Sequence, residues 1–85
     1  MSYKVLILRR AQKELAGLST SDYERVRDEI VSLADDPRPS GCKKLVGREG
    51  WRIRVGNYRV IYEIEDTKQE VTVLNVGHRR DVYSR

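Results

Sequence analysis

Between Trp51 and Tyr62, apolar residues alternate with arginine on one side of a Gly56-Asn57 pair, and the pattern runs Tyr-Arg-Val-Ile-Tyr on the other. No other feature constrains the fold as tightly. A two-residue connection with glycine first is the type II′ hairpin turn, and it fixes the register of the strands it joins. Val55 is expected to face Tyr58, Arg54 to face Arg59, Ile53 to face Val60 and Arg52 to face Ile61. Side chains alternate along a strand, so Arg52, Arg54 and Arg59 leave one face of the hairpin. Trp51, Ile53, Val55, Tyr58, Val60 and Tyr62 leave the other.

The rest of the chain arranges itself around this hairpin. Tyr3, Val5 and Ile7 alternate as a short first strand. Ala11, Leu15 and Leu18 then recur at helical spacing, Gly17 and the Ser19-Thr20-Ser21 run interrupt, and Tyr23, Val26, Ile30 and Leu33 form a second apolar stripe. Ser21 and Glu24 have the spacing of a capping box, and Asp35-Asp36-Pro37 ends the helix. Residues 8–35 thus predict a helical hairpin. Pro37, Pro39 and Gly41 mark an irregular crossing into the strands. After the return strand, Asp66-Thr67-Lys68-Gln69 turns the chain into a last strand at Val71–Val76, and Gly77 ends it. With a four-residue connection, Val76 is expected beside Arg59. The expected fold is α+β: an N-terminal strand and an α-helical hairpin packed on an antiparallel four-stranded sheet, in one domain spanning residues 1–85.

Length and composition narrow the function. At 85 residues there is room for one core. A single cysteine, Cys42, forms no intrachain disulfide, which fits a reducing compartment. One His and one Cys are too few for a zinc site of the usual kind, and no metal or cofactor is expected. The longest apolar run, Val5–Leu8, is far short of a membrane span or a signal-peptide core, so a soluble cytoplasmic protein is expected. The net charge of +4 is unevenly spread: residues 1–40 balance, and the excess lies beyond them. Lys43, Lys44, Arg48, Arg52, Arg54 and Arg59 stand against Glu49 alone between positions 43 and 59. Such a local surplus favours polyanions through phosphate contacts and counterion release, although many small proteins carry a basic surface for solubility alone.

The opposition of Arg54 and Arg59 is the sharper signal. Like charges placed directly across a sheet weaken it, and an anion held between them removes the conflict. The basic tail from His78 through Arg79, Arg80, Asp81, Val82 and Tyr83 starts from the arginine end of the hairpin, bringing a further guanidinium and a phenol within reach.

These residues carry a resemblance. The segment from Leu45 and Gly47 through Trp51-Arg52-Ile53-Arg54-Val55-Gly56-Asn57-Tyr58-Arg59-Val60-Ile61-Tyr62, followed by Val76-Gly77-His78-Arg79-Arg80-Asp81-Val82-Tyr83, resembles the RelE/ParE superfamily of toxin–antitoxin toxins. The Tyr3-Lys4-Val5 strand and the Ala11-x-Lys13-x-Leu15-x-x-Leu18 helix are similar to that family too. The resemblance to RelE implies a toxin that enters the A site of the small ribosomal subunit, cuts messenger RNA there, and is held inactive by a cognate RelB-like antitoxin. It implies that Arg52 and Arg54 match two basic positions that are lysines in the best-known member. Arg59 matches the arginine after tyrosine, Arg79 the tail arginine, and Tyr83 the tail tyrosine. Arginine stays charged in proteins, so neither Arg52 nor Arg54 serves as a general base.

The chemistry this implies is attack of a ribose 2′-oxygen on the neighbouring phosphate. Arg52, Arg54, Arg59 and Arg79 stabilise the phosphorane and Tyr83 is the candidate base, with His78 as its rival. Lys43, Lys44, Arg48, His78 and Arg80 are the expected RNA contacts. Two other functions compete: a ParE-like inhibitor of DNA gyrase without nuclease activity, and a non-catalytic RNA- or ribosome-binding protein. A triad from His78, Asp81 and Ser84 within one short tail is improbable geometry. Tyr58, Tyr62 and Trp51 belong to the core side of the hairpin, and Cys42 reads as an ordinary half-buried thiol.

Overall fold

The computed structural model describes residues 2–78. The element order is β1 (Lys4–Ile7), α1 (Arg9–Ala16), α2 (Thr20–Ser32), β2 (Lys43–Lys44), β3 (Trp51–Val55), β4 (Tyr58–Glu65) and β5 (Glu70–His78). The strands form one sheet in the order β1-β5-β4-β3-β2, antiparallel throughout except that β1 runs parallel to β5. The α+β class is as expected, and the sheet differs in two details. It has a fifth strand, two lysines long, whose charges gave no alternation to read. The first strand is parallel to its neighbour because the helical hairpin carries the chain across before the meander begins. Among the described residues, no helix is long and apolar enough to cross a membrane.

The hairpin has the register its turn dictates: Arg54 pairs with Arg59, Val55 with Tyr58, Ile53 with Val60 and Arg52 with Ile61. Gly56 has φ 61°, the left-handed value a type II′ turn needs at its first position. A Cβ there would sit 3.0 Å from the tip of the exposed Arg25 side chain of α2, which can move aside, so it is the backbone that asks for glycine.

One face of the sheet is covered by the helices. Ala11 and Leu15 of α1 and Val26, Ile30 and the following Leu33 of α2 pack with Ile53, Val55, Val60, Tyr62, Val71, Val73 and Val76. Helix α2 starts two residues earlier than the Ser21 capping box predicts. Ser19 is the cap, its hydroxyl accepting the Asp22 backbone N–H at 3.3 Å. The three-residue Ser-Thr-Ser run offers several registers, and Ser19 puts the Asp22 carboxylate in the first turn, where the helix dipole favours it.

The last strand departs from expectation by one residue. From Glu65↔Glu70 to Tyr62↔Val73 the pairing follows a four-residue turn, but Ile61 then pairs with Asn75, leaving Leu74 extra in a bulge. Gly77, not Val76, therefore lies beside Arg59, and Val76 lies beside Val60 in the core.

Residues 36–42 are pinned to the sheet at two points. The buried Tyr62 hydroxyl donates to the Pro37 carbonyl at 2.7 Å. Arg38 grips Asp66 with both Nη atoms, at 3.3 and 2.9 Å, while the Tyr3 hydroxyl donates to the same carboxylate at 2.7 Å. These donors, Arg38 first and Tyr3 second, hold the Asp66 carboxyl below the usual carboxylate range. A carboxyl depressed in the folded state contributes stability above its unfolded pKa of about 3.9, lost as pH falls through the lower folded value. Asp66→Asn should accordingly flatten the acid limb of stability below about pH 4, read from thermal melts across pH. An acid limb unchanged by the substitution would show the cluster to be energetically idle, as many exposed ion pairs are.

Candidate nucleic-acid interface

The face of the sheet turned away from the helices is basic at one end. Arg54 and Arg59 are cross-strand partners, and Lys43 on β2 is the partner of Arg52 on β3. Two like-charge pairs thus stand side by side over three strands, with Cβ atoms in each pair roughly 5 Å apart. The second pair depends on β2, which has no alternation in the sequence to announce it. Like charges directly opposed across a sheet weaken it, so the arrangement is one that stability alone does not favour.

The four cations are not equivalent. Lys43 and Arg54 are exposed and Arg52 is half-buried. Among the described residues no carboxylate forms an ion pair with Arg54. Arg59 is sunk to 2 % exposure, with Nε and Nη1 fully screened from solvent. Its strand neighbour Ile61, 4 % exposed, lies on the same face outside the core cluster. A fixed charge held in such a low-dielectric setting acts more strongly than one in water. Arg52 and Arg54 also border a cleft of about 350 Å³ at the β3 edge, together with Lys43, Ser40, Gly41 and Glu29. Arg59 is not among the residues lining that cleft.

Three of the expected RNA contacts lie elsewhere than beside these cations. Lys44 pairs with Trp51, and its Nζ sits 5.8 Å from that ring's centroid, with Arg38 at 5.1 Å. His78 pairs with Tyr58, and the two rings meet edge-on at 5.9 Å. Tyr58 in turn donates to Asp22 of α2 at 3.2 Å, which places His78 on the helix side, away from Arg54 and Arg59. Arg48 is exposed in the loop between β2 and β3, which closes through a hydrogen bond from Leu45 N–H to the Gly50 carbonyl at 3.0 Å. Arg79, Arg80 and Tyr83 lie outside the described residues. Arg25, whose guanidinium lies against the hairpin turn, was missed in the sequence because nothing in a helix announces which strand end it meets.

Tyr3, Tyr58 and Tyr62 are all shifted away from the phenolate. Tyr3 is raised first by its bond to Asp66; Tyr58 and Tyr62 are raised first by burial. None of these three phenols is acidified for proton abstraction.

Comparison with known proteins identifies the family. Residues 5–83 match the family model described as the ParE toxin of the type II toxin–antitoxin system parDE. The chain belongs to the ParE/RelE family of type II toxins. The family's relatives include the mRNA interferase toxin RelE of Escherichia coli K12, 32% identical over 89 residues, spanning 99% of this chain and 93% of that protein. Among solved structures of the family, the archaeal RelE-RelB complex from Pyrococcus horikoshii OT3 superimposes with a TM-score of 0.83 at 29% identity, covering 93% of this chain and 97% of that one. The toxin–antitoxin complex RelBE2 from Mycobacterium tuberculosis gives 0.83 at 27% identity, over 93% and 100% of the two chains.

Proposed function

We propose that this toxin is a cytoplasmic, ribosome-dependent endoribonuclease that cuts messenger RNA in the A site, and that a cognate RelB-like antitoxin holds it inactive. The observation that supports this most is the paired cations on the sheet's open face, Arg54 with Arg59 and Lys43 with Arg52. The name of the E. coli relative, an mRNA interferase, points the same way. The 2′-hydroxyl loses its proton to a base while its oxygen forms a bond to phosphorus. The bond from phosphorus to the 5′-oxygen then breaks, that oxygen takes up a proton, and a 2′,3′-cyclic phosphate remains. Arg52, Arg54, Arg59 and Arg79 carry the charge of the phosphorane, where fixed donors contribute most. Tyr83 is the base, and alignment of the RNA by the ribosome compensates for its modest strength. His78 packs against Tyr58 on the helix side, so it is an RNA contact or a structural residue rather than the base.

Primer extension on a message translated in a reconstituted extract tests the proposal. New ends within A-site codons are expected. His78→Gln should retain cleavage and Tyr83→Phe should lose it; the opposite pattern would hand the base to His78. Intact message with stalled replication would favour a ParE-like gyrase inhibitor instead. Co-purification with the product of the adjacent gene tests the antitoxin.

A further inference from the structure

The bulge in β5 decides which face of the sheet the end of that strand presents. Val73 pairs with Tyr62 and belongs to the core. Without an extra residue, alternation would send Val76 to the open face and leave Val76 beside Arg59. With Leu74 bulged, Val76 turns to the core, Gly77 comes beside Arg59, and His78 comes beside Tyr58. A single-residue slip here flips every later side chain to the opposite face.

Something must hold the bulged phase, because β5 loses its second neighbour at this point. The β1 pairing ends at Ile7↔Val73, and the last bond of that ladder is Leu8 N–H to the Val73 carbonyl at 3.0 Å. Helix α1 supplies the replacement. The Val76 N–H donates to Oε1 of Glu14 at 2.7 Å, and one turn earlier Arg10 Nη2 reaches Oδ1 of Asn75 at 3.5 Å. In the slipped phase the Val76 N–H would no longer meet that carboxylate.

We infer that Glu14 is a positioning residue for the cleavage reaction. Its carboxylate locks the bulged phase of β5 and so sets which face receives the strand end beside Arg59, from which the sequence continues to Arg79 and Tyr83. The inference rests on the proposed nuclease activity for its functional half only; the phase lock is a property of the folded chain.

The test compares full-length Glu14→Ala, Glu14→Gln and parent, each purified from its antitoxin complex. Glutamine keeps an acceptor oxygen for the Val76 N–H, so it separates the hydrogen bond from the charge. Glu14→Ala should lower the single-turnover cleavage rate on programmed ribosomes by about 10²-fold with KM little changed, as for a misplacement of about 1 Å. Glu14→Gln should recover most of the rate. By NMR, Glu14→Ala should speed exchange of the Val76 amide and weaken the Tyr58–His78 ring contact, while Glu14→Gln preserves both. A Glu14→Ala protein that keeps the parental Val76 protection and ring contact overturns the phase lock. Equal loss of rate in both variants with the contact intact overturns the positioning role. Should the parent itself cut no message, the nuclease reading fails, and the NMR comparison still decides the lock.

Discussion

Arg59→Ala is expected to lower A-site cleavage by about 10²–10³-fold, the range for removing one fixed charge donor from a reaction that develops negative charge. The expectation follows from where the side chain sits. Arg59 is opposed to Arg54 on one side and to Gly77 on the other, and it is 2 % exposed. Gly77 offers no side chain to crowd it. Burying a guanidinium is costly, and a chain selected for stability alone would place a leucine or methionine there. The fold should survive the substitution, because Arg59 lies outside the apolar cluster that joins sheet and helices. Single-turnover cleavage gives the rate and circular dichroism the melt. Arg59→Lys keeps the charge without the planar fork and should fall between parent and alanine. A parental rate in Arg59→Ala would remove Arg59 from the chemistry, and a spectrum without a cooperative melt would overturn the expectation that the fold survives.

Tyr62→Ala should bring the protein close to unfolding. The ring is fully buried between sheet and helices, and its hydroxyl ties the 36–42 crossing to β4 through the Pro37 carbonyl at 2.7 Å. Removing a large buried aromatic costs about 3–5 kcal/mol, a large part of the 5–15 kcal/mol that holds a small domain together. Tyr62→Phe keeps the ring and leaves the carbonyl without its donor, costing about 1–2 kcal/mol. Urea midpoints measure both. Burial also lifts the Tyr62 phenol above the ordinary tyrosine range. With the folded value above the unfolded one, its contribution is whole below about pH 10 and is lost as pH rises further. Tyr62→Phe should therefore lose part of the alkaline instability of the parent. An alkaline limb unaltered by the phenylalanine would assign that instability to other groups.

How far the fold could be read depended on how local each determinant was. The Arg54–Arg59 pairing was legible because two adjacent residues, Gly56 and Asn57, set it. The phase of β5 was not, since the bulge at Leu74 is held by a glutamate on the first helix, 62 positions from Val76. Lys43 and Lys44 showed no strand pattern, being two like charges in succession, and so the pairing of Lys43 with Arg52 was hidden. Lys44 and His78 were expected to contact RNA, whereas strand pairing sets them against Trp51 and Tyr58. The arginine face itself followed from alternation. The depth of Arg59 within it did not, because burial depends on everything that lies over a residue rather than on its neighbours in the chain.

The outermost strands of the sheet bear on how the molecule behaves in company. One rim is the four-residue β1 and the other is β2, a pair of lysines. A second copy approaching β2 edge-on would have to bring its own lysines against these, and it would find only two residues of backbone to join. Such a rim is a poor seed for sheet growth, so pairing between two copies through their β2 edges is not expected.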